Sequence, residues 1–152
     1  MENIMKLEFS NKSFNENLAR IVAAAFVAPL DPTCEELSEI KTAISEAVTN
    51  AIIHGYEDSI GMVRIDAKLI GNVVEFTVSD KGCGITDIKQ AMEPLYTGKP
   101  ELERSGLGFT IMESFMDKIE VKSTPDVGTS VTMKKIIKSN KNKGPLDGET
   151  DN

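Results

Sequence analysis

Residues 62–79 read MVRIDAKLIGNVVEFTVS, two alternating apolar and polar runs divided by Gly71-Asn72. Side chains of a strand point alternately to its two faces, so Val63, Ile65, Ala67 and Leu69 share one side of the first run. Val74, Phe76 and Val78 share one side of the second. A two-residue link with Gly at its first position is a hairpin turn, which makes the runs antiparallel neighbours. A hairpin with one apolar face must bury that face under another layer, and helices are the available cover.

The rest of the chain supplies both layers. "MKLEFS" alternates Met5, Leu7 and Phe9 with polar residues, a further half-buried strand, and "IEVKST" with "GTSVTMKKI" makes a second hairpin across "PDVG". Ser13 and Glu16 have the spacing of a capping box ahead of "NLARIVAAAFVA", whose apolar stripe reads Leu18, Ile21, Val22, Ala25 and Phe26 before Pro29 ends it. Thr33 and Glu36 form a second box. The helix behind it has the stripe Leu37, Ile40, Ile44, Ala47, Val48 and Ala51, with Glu39, Glu46 and Asn50 on the other side and Gly55 as its C′ residue. Ser105 caps a third helix, "GLGFTIMESFMDK".

Strand, helix, helix, hairpin, loop, helix, hairpin predicts an α+β fold: a two-layer α/β sandwich whose mixed, mostly antiparallel sheet carries helices on one face. A doubly wound dinucleotide fold does not fit this order, and no Walker A segment is present. The chain's 152 residues suffice for one domain with a true core. The domain is expected over residues 1–138; residues 139–152, "NKNKGPLDGETDN" after Ser139, have too few apolar residues to fold and are read as a loose tail.

A formal charge of −7 argues against a general nucleic-acid or anionic-membrane binder, which needs clustered Lys and Arg. Cys34 and Cys83 form neither a metal pattern nor a disulfide framework. The N-terminus lacks a signal peptide's apolar core, and no apolar run approaches the ~18 residues that span a bilayer. A cytoplasmic location is expected.

Three segments carry chemistry. In "DKGCG", Asp80 ends a buried strand and is followed by Gly82 and Gly84, a turn that admits a flat ligand against backbone. A carboxylate there selects an exocyclic amine over a carbonyl; an Asx turn closing a strand has the same residues. In "SGLGF", Ser105, Gly106, Leu107 and Gly108 open a helix whose unpaired N–H groups suit a phosphate, as well as being an ordinary cap. Two glycines in a first turn weaken a helix, which favours the phosphate reading. Glu46 and Asn50 lie one helical turn apart. The Asn50 carbonyl is a hard ligand for Mg²⁺, and Glu46 can take a proton from a hydroxyl or water; a solvated polar face would look the same. His54 ends that helix, where it complements the dipole.

In combination, "E46-x-x-x-N50", "D80-x-G-x-G84", "G106-x-G108" and "G128-T129", in this order, resemble the GHKL ATPase/kinase superfamily and its Bergerat ATP-binding fold. The resemblance covers roughly residues 5 to 137. It implies that Asp80 holds adenine with help from Thr129, that Asn50 binds Mg²⁺, that Glu46 is the base, and that the glycines of "SGLGF" contact phosphates. Residues 86 to 104 would form a mobile lid, from which Lys99 and Arg104 either pair with phosphates or solvate the loop. Within the superfamily, "EAVTNAIIHGY", "LYTGKPELERSGLGFTIMESFMD" and "NENLARIVAAAF" are similar to the anti-sigma F family of endospore-forming bacteria. That family implies a serine kinase and sigma-factor inhibitor, a homodimer, and two partners: sigma factor F and an anti-anti-sigma protein phosphorylated on serine. Arg20 matches a family position that contacts both partners, and its place opposite Leu18 and Val22 predicts exposure. A histidine kinase needs a phosphoacceptor His on a separate helical module, for which this chain has no room. Chaperone- and repair-type relatives need transducer domains it lacks.

Overall fold

The structure is a computed structural model that describes residues 2–56, 59–93 and 108–138. One sheet contains β1 (Glu2–Ser10), β2 (Met62–Ile70), β3 (Val73–Asp80), β4 (Lys118–Thr124) and β5 (Gly128–Ile136), in the spatial order β1-β2-β3-β5-β4. All four pairings are antiparallel, the antiparallel end of the mixed arrangement expected. Helices α1 (Asn15–Val27) and α2 (Cys34–Asn50), the short α3 (Ile88–Ala91) and α4 (Gly108–Phe115) complete the described elements together with two irregular turns.

The central hairpin is as the alternation requires. Gly71 takes φ +61° at the turn, and Val63, Ile65, Ala67, Leu69, Val74, Phe76 and Val78 are all buried. Helices cover this face, with Ile40, Ile44 and Val48 of α2 fully enclosed and Phe26 of α1 edge-on to Phe76 at 6.2 Å. The return of β5 beside β3 puts Asp80 directly across from Thr129 at one end of the central strands. Topology therefore delivers two sequence-distant polar residues to one rim of the sheet.

α2 begins with a complete capping box: Glu36 N–H donates to Thr33 Oγ1 at 3.1 Å, and Thr33 N–H to Glu36 Oε1 at 2.9 Å. The second Glu36 oxygen accepts Lys138 N–H at 2.6 Å, which fastens the end of the sheet to the start of α2.

Several expectations need correction. The Ser13–Glu16 box does not form; α1 has Phe14 at its N-cap with no side-chain cap bond. Glu16 turns instead to α2, where it accepts from the Ser45 hydroxyl and from Thr49 Oγ1 at 3.0 Å. Two donors to one carboxylate outcompete a single reach back to its own helix end. The stripe of α1 is also rotated. Ala19, Ala23, Phe26 and Val27 are buried, whereas Leu18, Ala25 and Ile21 (59% exposed) face outward. "NLARIVAAAFV" is apolar nearly all round, and the small Ala19 and Ala23, not the larger residues, allow close packing on the layer beneath.

The polar side of α2 is not a solvent face. Lys135 of β5, itself buried, donates to Glu39 Oε2 at 2.7 Å and to the carbonyl of Phe115 at 2.7 Å. That ammonium closes α4 at Phe115, short of the expected Lys118, and Asp117 N–H pairs with Lys134 O at 2.9 Å to start the next strand. Gly55 is no left-handed C′ residue. α2 widens after Asn50 into a π-helical turn, Ala51–Gly55, that Gly55 ends.

Candidate functional site

The widened turn of α2, the end of β3, the loop after it, the start of β5 and the N-terminal end of described α4 surround a cleft of about 340 Å³. Asn50, Asp80, Gly84, Gly108 and Thr129 all line it. π-turns are frequent at functional sites because the extra residue re-aims a helix end. Here the turn carries the Gly55 and His54 backbone to the loop after Asp80, where Cys83 N–H donates to Gly55 O at 2.7 Å and the Cys83 thiol to His54 O at 2.9 Å.

Asp80 is 8% exposed. Burial pushes its carboxyl above the ordinary aspartate range; the backbone N–H groups of Gly82 and Thr129 draw it partly back. Gly82 N–H reaches Asp80 Oδ1 at 2.9 Å. A Cβ on Gly55 would lie 2.7 Å from Asp80 Cγ, so the carboxyl occupies the space a side chain would need. This is why the "HGY" segment has glycine: besides ending the π-helical turn, it is a wall of the Asp80 pocket.

Gly82 and Gly84 differ in their reasons. A Cβ on Gly82 would stand 1.6 Å from Gly55 O, so Gly82 permits two backbone segments to touch. Gly84 has φ +75°, the left-handed region glycine adopts freely, and packs against Thr124 O. Of the two, Gly84 lines the cleft, as does Cys83 between them.

Glu46 and Asn50 converge on the first described residue of α4. A Cβ on Gly108 would be 3.3 Å from both Glu46 Oε2 and Asn50 Nδ2. The pair read from helical spacing is thus met by the glycine read from "SGLGF". Ser105, Gly106 and Leu107, and the lid candidates Lys99 and Arg104, lie outside the described residues, as does the expected tail 139–152. Arg20 is exposed on α1, a helix that also exposes Leu18 and Ile21 on another side, and lies on a different element from the cleft.

Three contributors were not read from the sequence. Tyr56 Oη donates to Met62 O at 2.5 Å and accepts Lys81 N–H at 2.8 Å, holding the loop root to β2. Glu16 grips Ser45 and Thr49, the residues immediately before Glu46 and Asn50. Ser45 and Thr49, hydroxyls one turn apart beside an apolar stripe, were the available signal. Ser123 bonds Ile85 N–H at 2.7 Å behind Thr129, and a lone serine in a strand gives no pattern to find.

Fold and site together define a histidine kinase-like ATPase domain, the description of the family model that residues 10–135 match. The chain is 59% identical to the anti-sigma F factor of Clostridium perfringens over 89% of its own length and 97% of that protein's. It is 55% identical to the anti-sigma F factor of Bacillus subtilis, over 93% and 97% respectively. The chain belongs to the anti-sigma F factor family. Among solved structures, the RsbU and RsbW domains of a Mycobacterium tuberculosis protein superpose with a TM-score of 0.65 at 20% identity, covering 89% of this chain and 32% of that one, a likeness of fold alone. Among the described residues no helix is long and apolar enough to cross a membrane.

Proposed function

We propose that this chain is a cytoplasmic anti-sigma factor that binds and inhibits sporulation sigma factor F and, as an ATP- and Mg²⁺-dependent serine kinase, phosphorylates and inactivates its anti-anti-sigma antagonist. The observation that carries the enzymatic half is the meeting of Glu46 and Asn50 at Gly108, where Gly108 and Asn50 line the same cleft as Asp80 and Thr129.

Asp80 is the adenine reader. Its carboxylate accepts from the exocyclic amine while Thr129, across the strand pair, stands beside it. Asn50 lines the cleft and offers a hard carbonyl oxygen. That donor set suits Mg²⁺, which is held mainly by phosphate oxygens and water and offsets charge on the phosphates when bound. Glu46 takes the proton of the partner's serine as its oxygen attacks the terminal phosphorus, and the bond to the departing ADP breaks. Gly108 leaves room for the phosphates at the helix end. The proposal extends these contacts to Ser105, Gly106, Leu107, Lys99 and Arg104.

The inhibitory half rests on α1. Arg20 is exposed on a helix that also exposes Leu18 and Ile21, and Arg and exposed apolar groups characterise interface centres. A homodimer belongs to the same proposal; β1 is an edge strand that can pair across a two-fold.

The deciding experiment incubates the chain with ATP, Mg²⁺ and the purified antagonist and weighs the antagonist by mass spectrometry. One added phosphate is expected, with the rate falling ~10²-fold or more in Glu46→Ala while nucleotide affinity persists. Intact partner binding without added phosphate would leave a nucleotide-sensing binding module and overturn the kinase assignment.

A further inference from the structure

The Ser123 hydroxyl, on β4, faces Thr129 in the strand register and does not line the cleft. A serine hydroxyl has one hydrogen to donate and two lone pairs to accept with. Ser123 Oγ accepts Ile85 N–H at 2.7 Å and donates to Gly128 O at 3.1 Å. It also lies 2.8 Å from Thr129 Oγ1. Either hydroxyl could donate across that contact; donation by Ser123 would leave the Gly128 carbonyl without its hydrogen, whereas donation by Thr129 leaves the Ser123 hydrogen for Gly128 O and so satisfies every group. Ser123 is then fully used, and Thr129 turns only lone pairs toward the cleft.

We propose that Ser123 is a positioning residue that makes the cleft discriminate 6-aminopurine from 6-oxopurine nucleotides, by holding the Thr129 hydroxyl hydrogen away from the ligand. This rests on reading the cleft as a nucleotide site. Asp80 as a carboxylate and Thr129 as so oriented are both acceptors, adjacent across β3 and β5. An exocyclic amine has two hydrogens to give them; a 6-carbonyl has none, and the N1–H beside it can satisfy only one of the two acceptors, so the carbonyl still meets lone pairs. Without Ser123 the Thr129 hydroxyl turns, and its hydrogen becomes available to a carbonyl. Asp80 sets the preference for an amine, and Ser123 prevents its neighbour from rescuing the wrong base.

The test is calorimetric titration of the full chain with ATP and with ITP, for the wild type, Ser123→Ala, Ser123→Cys, Ser123→Thr, Thr129→Val and the Ser123→Ala/Thr129→Val pair. Ser123→Ala is expected to narrow the ATP-over-ITP preference by about 3- to 10-fold, the weight of one neutral hydrogen bond, through tighter ITP binding. Ser123→Thr keeps the hydroxyl and restores the preference. In the Thr129→Val background Ser123→Ala changes nothing further, since its effect runs through Thr129. An unmoved ratio in Ser123→Ala, or an equal change with and without the Thr129 hydroxyl, overturns the inference. Ser123→Cys, close in shape but a weak donor and acceptor, is expected to narrow the preference as well and keeps the test decisive if Ser123→Ala fails to fold. A wild type that binds ATP with these ratios unmoved refutes only the role of Ser123; one that takes up no ATP refutes the nucleotide site itself.

Discussion

Replacing Asp80 by Asn separates binding from folding in opposite directions. Gly82 N–H donates to Oδ1, and Thr129 N–H also faces the carboxyl, so an amide at this position keeps its oxygen toward these donors. Its NH₂ then points into the cleft and confronts the adenine amine donor to donor. The wild-type bond is an amine to a buried carboxylate, worth about 1.5–3 kcal/mol, so ATP affinity should fall at least ~10-fold and up to ~150-fold. ITP, which offers a carbonyl, should lose less or gain. Stability should move the other way. The folded-state pKa of Asp80 lies above its unfolded value, chiefly through burial. The stability this group contributes is therefore fully present below the unfolded aspartate range and is lost as pH rises through the folded value. Once the carboxyl is ionised the wild type bears a buried charge that the amide does not, so above the folded value Asp80→Asn should unfold at equal or higher urea concentration, the gap closing under acid. Calorimetry with both nucleotides and urea titrations at acid and neutral pH read the two effects. Unchanged ATP affinity with an unchanged ATP-over-ITP ratio would refute the adenine assignment; loss of binding accompanied by lower stability at neutral pH would refute the charge argument.

Gly108→Ala should stabilise α4 by up to about 1 kcal/mol if propensity alone decides. Its methyl nevertheless crowds Glu46 and Asn50 at 3.3 Å, and phosphotransfer should drop more than ~10-fold while the melting temperature holds. Lys135→Met strands the Glu39 carboxylate and the Phe115 carbonyl and should cost about 1.5–3 kcal/mol in urea unfolding, with part of the loss regained on adding Glu39→Leu. Arg20→Glu should weaken binding of sigma factor F and of the antagonist in pull-down titrations and leave ATP affinity unchanged; an equal loss of nucleotide binding would contradict the separation of the two surfaces.

The strands were legible because period-two alternation is strict in them: β2 occupies 62–70 as the pattern dictates, and Thr33 with Glu36 begins α2 as the box requires. α1 was misread for a physical reason. An almost wholly apolar helix has no unique stripe, and large residues are no guide where small ones decide how closely helices pack. Glu16 shows the same limit, since a local capping partner and a distant pair of hydroxyls compete for one carboxylate and only tertiary structure ranks them. At the site, the motif residues Asn50, Asp80, Gly84, Gly108 and Thr129 line one cleft, and Glu46 stands beside Gly108 at its edge. Gly55 and Gly82 were visible as glycines but not for what they do, because each is needed where two remote backbone or side-chain atoms approach. The ion pair of Glu39, placed opposite the apolar stripe, was not legible because its partner, Lys135, lies 96 positions away in sequence.

The decisive measurement is a crystal structure of the chain with Mg²⁺ and a non-hydrolysable ATP analogue. The account requires the adenine amine on the Asp80 carboxylate, the metal on the Asn50 carbonyl oxygen, and the terminal phosphate between Glu46 and the start of α4. Density for the nucleotide in any other cavity, or in this cleft with the base turned away from Asp80, would contradict it.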